Sequence, residues 1–313
     1  MDIQYLLFLQ NFRNGINDAL TPFMEMISLF AVTYLIIIPA LVYWCVDKRS
    51  GLYTMASYTT CVAVNAVVKL TACVYRPWIR DSRIQPAGDA IQTATGYSFP
   101  SGHTTTATPI YGSLAVSAWK VMRWISVFCI ALILITGFSR NYLGVHTPQD
   151  VIVGLTEGVL ILWGMSKLFS YLIEHSDREN IFLAIGVLLG FAALIYISVK
   201  HYPMDYVDGK LLVDPQKMMR DGYGDIGMLI AFCAGRFIEK TWIQFKPTCS
   251  KRNVAAGLVG AVIAFGLIEM LGDPMKALFG LHWGRFAQSA ILILFIITIW
   301  PAVMKAALKE ETV

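Results

Sequence analysis

Charge is what this chain of 313 residues lacks: Asp, Glu, Lys and Arg make up 15% of it, where soluble proteins carry about 25%. Against a hydrophobic fraction of 56%, that shortfall excludes an ordinary soluble domain and points to an integral membrane protein. The net charge of +4 comes without a long basic run, which argues against a nucleic-acid partner. The six cysteines (Cys45, Cys61, Cys73, Cys129, Cys233, Cys249) lie mostly in apolar stretches, with no CxxC or Cys/His cluster. Neither a disulfide framework nor a zinc site is therefore indicated. Residues 1–21 contain Arg13, Asn14 and Asp18 and lack a short apolar core with a cleavage site, so no cleaved signal peptide is expected. No internal repeat or low-complexity linker divides the chain.

What is present is a succession of apolar runs. A spanning helix needs about 20 mainly apolar residues. Windows at 22–45, 51–73, 102–119, 124–139, 148–170, 181–199, 224–240, 253–271 and 286–304 fit that need. The expected fold is all-α, a polytopic transmembrane helix bundle of about nine spans forming one domain over residues 1–313. Residues 3–20 mix Ile3, Leu6, Leu7, Ile16 and Leu20 with polar side chains, and read equally as an interfacial helix or a surface segment. Lys and Arg are about twofold denser in the loops 46–50, 118–124, 167–180, 236–252 and 304–313 than on the other side. The positive-inside rule then puts the C-terminus in the cytoplasm and the N-terminus outside.

Three polar clusters fall on that outer side. Lys69 and Arg76-Pro77 close the second window, where seven helical steps put both cations on one face until Pro77 ends the helix. Pro100-Ser101-Gly102-His103 opens the third window. Ser101 suits an N-cap, Gly102 admits close approach to the backbone, and the free N–H groups of such a terminus attract an anion. Ser139-Arg140, His146 and Asp150 form the last cluster. Thr147-Pro148-Gln149-Asp150 also reads as a helix start, so Asp150 is either half of a capping box or the carboxylate that orients His146. Each cluster alone has a bland reading: cations snorkelling to an interface, an ordinary capped turn, a helix cap.

Taken together, the motifs K-x6-R-P, P-S-G-H and S-R-x5-H-x3-D resemble the three signatures of the type 2 phosphatidic acid phosphatase superfamily, matched at every position within residues 69–150. That superfamily spans lipid phosphate phosphatases, sphingoid-base phosphate phosphatases, glucose-6-phosphatase, undecaprenyl diphosphate phosphatases and vanadium haloperoxidases. The resemblance implies a phosphoric ester hydrolase with a catalytic core at about 51–172 and additional C-terminal spans at about 181–304. It implies His146 as nucleophile, Asp150 as its orienting partner and His103 as general acid. Lys69, Arg76, Ser101, Gly102 and Arg140 would hold the phosphate, with no cofactor and no metal. Fixed cations and helix N–H groups suit the charge that a transferring phosphoryl group spreads over its equatorial oxygens.

The substrate implied is a lipid phosphate or diphosphate, with a soluble sugar phosphate as the alternative. Helix-end residues sit at headgroup depth, and Tyr75, Trp78, Tyr97 and Phe99 suit an interface. The expected location is a bacterial cytoplasmic membrane with the site facing outward. A transporter or scaffold is the alternative of another class. Glu157 inside the fifth window is either functional or a structural hydrogen-bonding group. Glu269 and Arg236 read as snorkelling side chains, Asn65 and Pro109 as packing and kink residues, and His201 and His282 as solvated. His175 falls on the cytoplasmic side, away from the clusters. Residues 281–285, with His282 and Arg285, are a candidate for substrate selection.

Overall fold

The structure, a computed structural model, describes residues 2–33 and 35–307. Its helices are α1 (Asp2–Gly15), α2 (Thr21–Thr33), α3 (Ile37–Cys45), α4 (Lys48–Ala72), α5 (Pro77–Arg80), α6 (Gly102–Ala118), α7 (Arg123–Tyr142), α8 (Pro148–Glu174), α9 (Glu179–Val199), α10 (Pro215–Ile238), α11 (Lys251–Met270), α12 (Gly272–Leu294) and α13 (Trp300–Ala307). A two-stranded hairpin, β1 (Tyr206–Val207) and β2 (Lys210–Leu211), is antiparallel, with Tyr206 opposite Leu211.

Among the described residues, six helical stretches are long and apolar enough to cross a membrane. They correspond to six of the nine windows. The other three differ for visible reasons. Window 22–45 is divided between α2 and α3. α6 has 17 residues, a rise of about 25 Å. α10 carries Asp221 and Asp225 in its own interior. α12 is also interrupted, at Gly280 with φ 76°, and its first part folds back so that Gly284 packs against the backbone of Met275 and Lys276.

Lipid-facing surfaces are plain on the outer helices. Phe128 and Leu134 of α7, Leu160 and Trp163 of α8, Leu188, Leu189 and Ile195 of α9, and Leu258 and Val262 of α11 are all exposed. Water would penalise so large an apolar surface, whereas acyl chains would not. Between helices the packing relies on small residues, as expected where lipid tails compete for apolar contact. A Cβ on Gly158 of α8 would come 2.6 Å from Thr108 of α6, and one on Gly154 would come 3.1 Å from the Ser101 carbonyl. This close approach sets the start of α8 beside the start of α6.

Two sequence expectations need correction. α4 ends at Ala72, where Cys73 takes a left-handed φ of 48°, so Arg76 is not on the helix that bears Lys69. Pro77 instead begins α5, with Arg76 at its N-cap position, in keeping with the tolerance of proline at a first helical position. Nor does Arg236 snorkel. It lies 2.7 Å from Glu179 and pairs with the fully buried Glu239, which Lys48 also reaches at 2.5 Å. This network ties α4, α9 and α10 at the end opposite the three clusters, and removing one partner from such a buried group typically costs about 3–5 kcal/mol.

α1 resolves the mixed N-terminal segment as a helix. Its buried Arg13 donates to the Tyr142 carbonyl at 3.2 Å and to the Gln85 carbonyl at 2.8 Å, clamping α1 to the end of α7 and the loop after α5.

Candidate active site

The end of α7 and the start of α8 present His146. Gly144 takes φ 73°, a turn that favours glycine. The turn lets the Val145 and His146 amides both donate to the Arg140 carbonyl, at 3.1 and 3.2 Å. Asn141 Nδ2 holds the His146 carbonyl at 2.9 Å. On the other side Thr147 and Asp150 form the expected capping box, with Pro148 in the first turn. One atom of Asp150 makes both contacts: Oδ2 accepts the Thr147 amide at 2.8 Å and lies 3.3 Å from His146 Nδ1.

The other ring nitrogen, Nε2, is 2.8 Å from Arg76 Nη1. Guanidinium is always a donor, so Nε2 is the acceptor and Nδ1 carries the proton of the neutral ring. This tautomer leaves the lone pair on Nε2, away from Asp150. Burial pushes the imidazolium form of His146 well below the ordinary histidine range, and the charges of Arg76, Arg140 and Lys69 reinforce the shift. Ser98, which sequence reasoning missed, donates to Asp150 Oδ2 at 2.6 Å and lies 3.4 Å from His146 Nδ1. It stands ahead of the second motif, and nothing local in the sequence marks it.

Arg76 is held by backbone. Nε donates to the Gly96 carbonyl at 3.1 Å, Nη2 to Thr95 at 2.9 Å, and Nη1 to Val145 at 3.0 Å. Gly96 itself takes φ 64°, and a Cβ there would lie 1.7 Å from Met218 Sδ, so this carbonyl cradle needs glycine. Arg76 is thereby pre-positioned by carbonyls, with no carboxylate bonded to it among the described residues.

His146, Arg76, His103, Lys69 and Gly102 line one cavity of about 260 Å³. His103 is 5% exposed, and its Nε2 has no hydrogen-bond partner among the described residues. Lys69 Nζ lies 3.6 Å from where a Gly102 Cβ would sit, above the first turn of α6 with its unpaired N–H groups. Two cations and a helix N-terminus thus converge on a space shared by two histidines.

Ser101, Arg140 and Glu157 are not among the residues that line this cavity. Ser101 occupies the N-cap position, but its hydroxyl makes no capping bond; it accepts from Thr104 at 3.0 Å, while its amide donates to the Asp150 carbonyl at 3.0 Å. Arg140 is fully buried, bonds Ser28 of α2 through Nη1, and among the described residues leaves Nε and Nη2 without partners. Glu157 does not line the cavity; its Oε1 is buried near Asn65, without a well-formed hydrogen bond among the described residues. Asn65 does line it, beyond the packing role read from sequence. Pro109 is buried inside α6. His282 is not simply solvated: Nε2 lies 3.1 Å from the Gln216 carbonyl, and its ring is 5.3 Å from Tyr223. Tyr97 is fully buried rather than interfacial, because it packs among Leu70, Met218 and Ile197.

The C-terminal half also lines this cavity, through Asp221 and Asp225 of α10 and Arg285 of α12. Asp225 was legible as an ionisable residue inside an apolar window, a feature that marks function by default.

Residues 50–174 match the PAP2 superfamily. Phosphatidylglycerophosphatase B of Bacillus subtilis is 29% identical over 143 residues, 44% of this chain and 66% of that protein. Lipid phosphate phosphatase delta of Arabidopsis thaliana is 26% identical over 203 residues, 61% of this chain and 48% of its own length. An undecaprenyl-diphosphatase of Sulfolobus acidocaldarius is 27% identical over 107 residues, 34% and 49% of the two chains. The chain spans between 48% and 66% of the length of these relatives. No solved structure matches it.

Proposed function

The chain carries a PAP2 superfamily segment at residues 50–174, and on that premise we propose that it is a membrane phosphatase acting on lipid phosphate monoesters or diphosphates. The observation that carries this reading is the single cavity shared by His146, His103, Lys69 and Arg76 at the first turn of α6.

In the reaction, the Nε2 lone pair of His146 attacks phosphorus as the bond to the ester oxygen breaks. His103 gives its proton to the departing oxygen. Water then attacks the phosphohistidine while His103 takes a proton from it, the P–N bond breaks, and phosphate leaves. Asp150 holds the Nδ1 proton throughout and stabilises the positive charge that develops on the ring. Lys69, Arg76 and the α6 N–H groups stabilise the equatorial oxygens. Arg76 reaches them by turning Nη1 from His146 Nε2 to the phosphate. Arg140 adds positive charge from outside the lining, and Ser101 braces α6 against Asp150. These cations supply the charge that a metal ion provides in other phosphatases.

We read α2 with α3, α6 and α10 as further crossings beside the six apolar stretches, giving nine, with the site on the extracytoplasmic side. The loop charge asymmetry supports that orientation. The cavity is smaller than the roughly 300–1,000 Å³ that enclose whole drug-sized ligands, so it suits the polar end of a substrate whose tail remains in lipid. Phosphate release by the purified protein in detergent tests the reading, with lipid monophosphates, isoprenoid diphosphates and sugar phosphates compared. Turnover of the lipid esters is expected; turnover of the sugar phosphates alone would replace the substrate class, and release from none would end the phosphatase reading.

A further inference from the structure

Part of the cavity lining comes from outside the matched segment. α10 approaches closely because Gly222 and Gly224 are small: a Cβ on Gly222 would lie 2.9 Å from Leu70 of α4, and one on Gly224 would lie 2.9 Å from Arg285 of α12. This brings Asp221, Asp225 and Arg285 to the cavity that holds both histidines. Asp221 is already engaged, since its Oδ1 accepts Arg220 Nε at 3.0 Å and Nη2 at 2.8 Å. Among the described residues Asp225 makes no hydrogen bond or close ion pair, and the charges of Asp221, Arg285 and Lys69 act on it through space. Arg285 gives Nη1 to Gln288 at 2.8 Å; its Nε is enclosed against α10, and its Nη2 makes no hydrogen bond among the described residues.

A carboxylate repels a phosphate that enters the same small cavity, and that repulsion must be offset by whatever else the substrate brings. In its ionised form a carboxylate only accepts, so it needs a donor, and an unpaired guanidinium N–H needs an acceptor. A hydroxyl is both; an ammonium is a donor only. We propose that Asp225 and Arg285 form a specificity wall that reads a hydroxyl on the leaving group close to the phosphate ester. The inference rests on the phosphatase reading above and names the alcohol that its site prefers. The small cavity agrees, having room for a phosphate and its adjoining polar atoms but not for a whole lipid.

The test compares dodecyl phosphate, 2-hydroxydodecyl phosphate and 2-aminododecyl phosphate, which share one chain length. The wild-type protein should show kcat/KM about tenfold higher for the hydroxy ester than for the plain ester, the scale of one hydrogen bond to a charged group. Asp225→Ala should bring that ratio close to one. A wild-type ratio near one, or an Asp225→Ala variant that lowers all three esters alike, would overturn the wall while leaving the phosphatase reading intact. An amino ester faster than the hydroxy ester would overturn the assignment to a hydroxyl. Hydrolysis of none of them by the wild type would remove both readings. Inhibition of the wild type needs no variant: 2-hydroxyethylphosphonate should bind about tenfold tighter than ethylphosphonate, and equal inhibition would count against the wall.

Discussion

Ser98 donates its hydroxyl to Asp150 Oδ2 at 2.6 Å, closer than either the Thr147 amide or His146 Nδ1 comes to the same oxygen. The contact joins the loop before α6 to the first turn of α8 and fixes the carboxylate beside the imidazole. Ser98→Ala should lower kcat about tenfold, the worth of one hydrogen bond to a charged group, with KM little changed. Rapid-quench measurement of phosphoenzyme formation reads this directly. A variant with wild-type phosphorylation kinetics would show that Asp150 needs only its helix cap.

The two histidines should separate by leaving group. His146→Ala should abolish the phosphoenzyme and turnover together. His103→Ala should phosphorylate better from p-nitrophenyl phosphate than from an alkyl phosphate, because nitrophenolate leaves without a proton. Its phosphoenzyme should then accumulate under alkaline quench, since water activation is also lost. An alkali-stable phosphoenzyme in His146→Ala would reassign the nucleophile.

Protonation of His146 has a defined sign. Its charged form is disfavoured in the folded protein by burial and by three neighbouring cations. At about pH 6.5, where an unperturbed histidine is half charged, His146 should be neutral with its proton on Nδ1. Nitrogen-15 spectra of histidine-labelled protein, assigned by the His146→Ala variant, report both features. Because the folded pKa is lowered, this residue costs stability as pH falls below about 6.5 and the unfolded chain takes up the proton. A half-charged ring at that pH would contradict the arrangement around Nε2.

Activity should persist in excess EDTA, with Lys69, Arg76 and Arg140 as the source of positive charge. Orthovanadate should inhibit, because its five-coordinate form resembles the transition state. Activity lost to EDTA and restored by a divalent ion would place a metal in the reaction.

Orientation can be read from thiol labelling. Cys249 is exposed on the side assigned to the cytoplasm, so it should resist an impermeant maleimide on intact cells and react after permeabilisation. In a Cys249→Ser background, Ser82→Cys on the exposed loop after α5 should react on intact cells. The reverse labelling pattern would turn the site to the cytoplasm.

Much of the site was legible because its chemistry is local. The Thr147-Pro148-Gln149-Asp150 helix start follows from the conformational preferences of four adjacent residues, and six apolar windows follow from the length that a bilayer demands. The residue types of the three motifs, cations and histidines at helix ends, were likewise open to reading. Tertiary structure decided the rest. The left-handed turn at Cys73 moved Arg76 off the helix of Lys69, and the carbonyls of Thr95, Gly96 and Val145 brought it back to His146. Packing against α2 set Arg140 outside the cavity lining, and the small glycines of α10 carried Asp225 into it. Such placements depend on which distant surfaces meet, and a pattern of spacing along one chain holds no record of that.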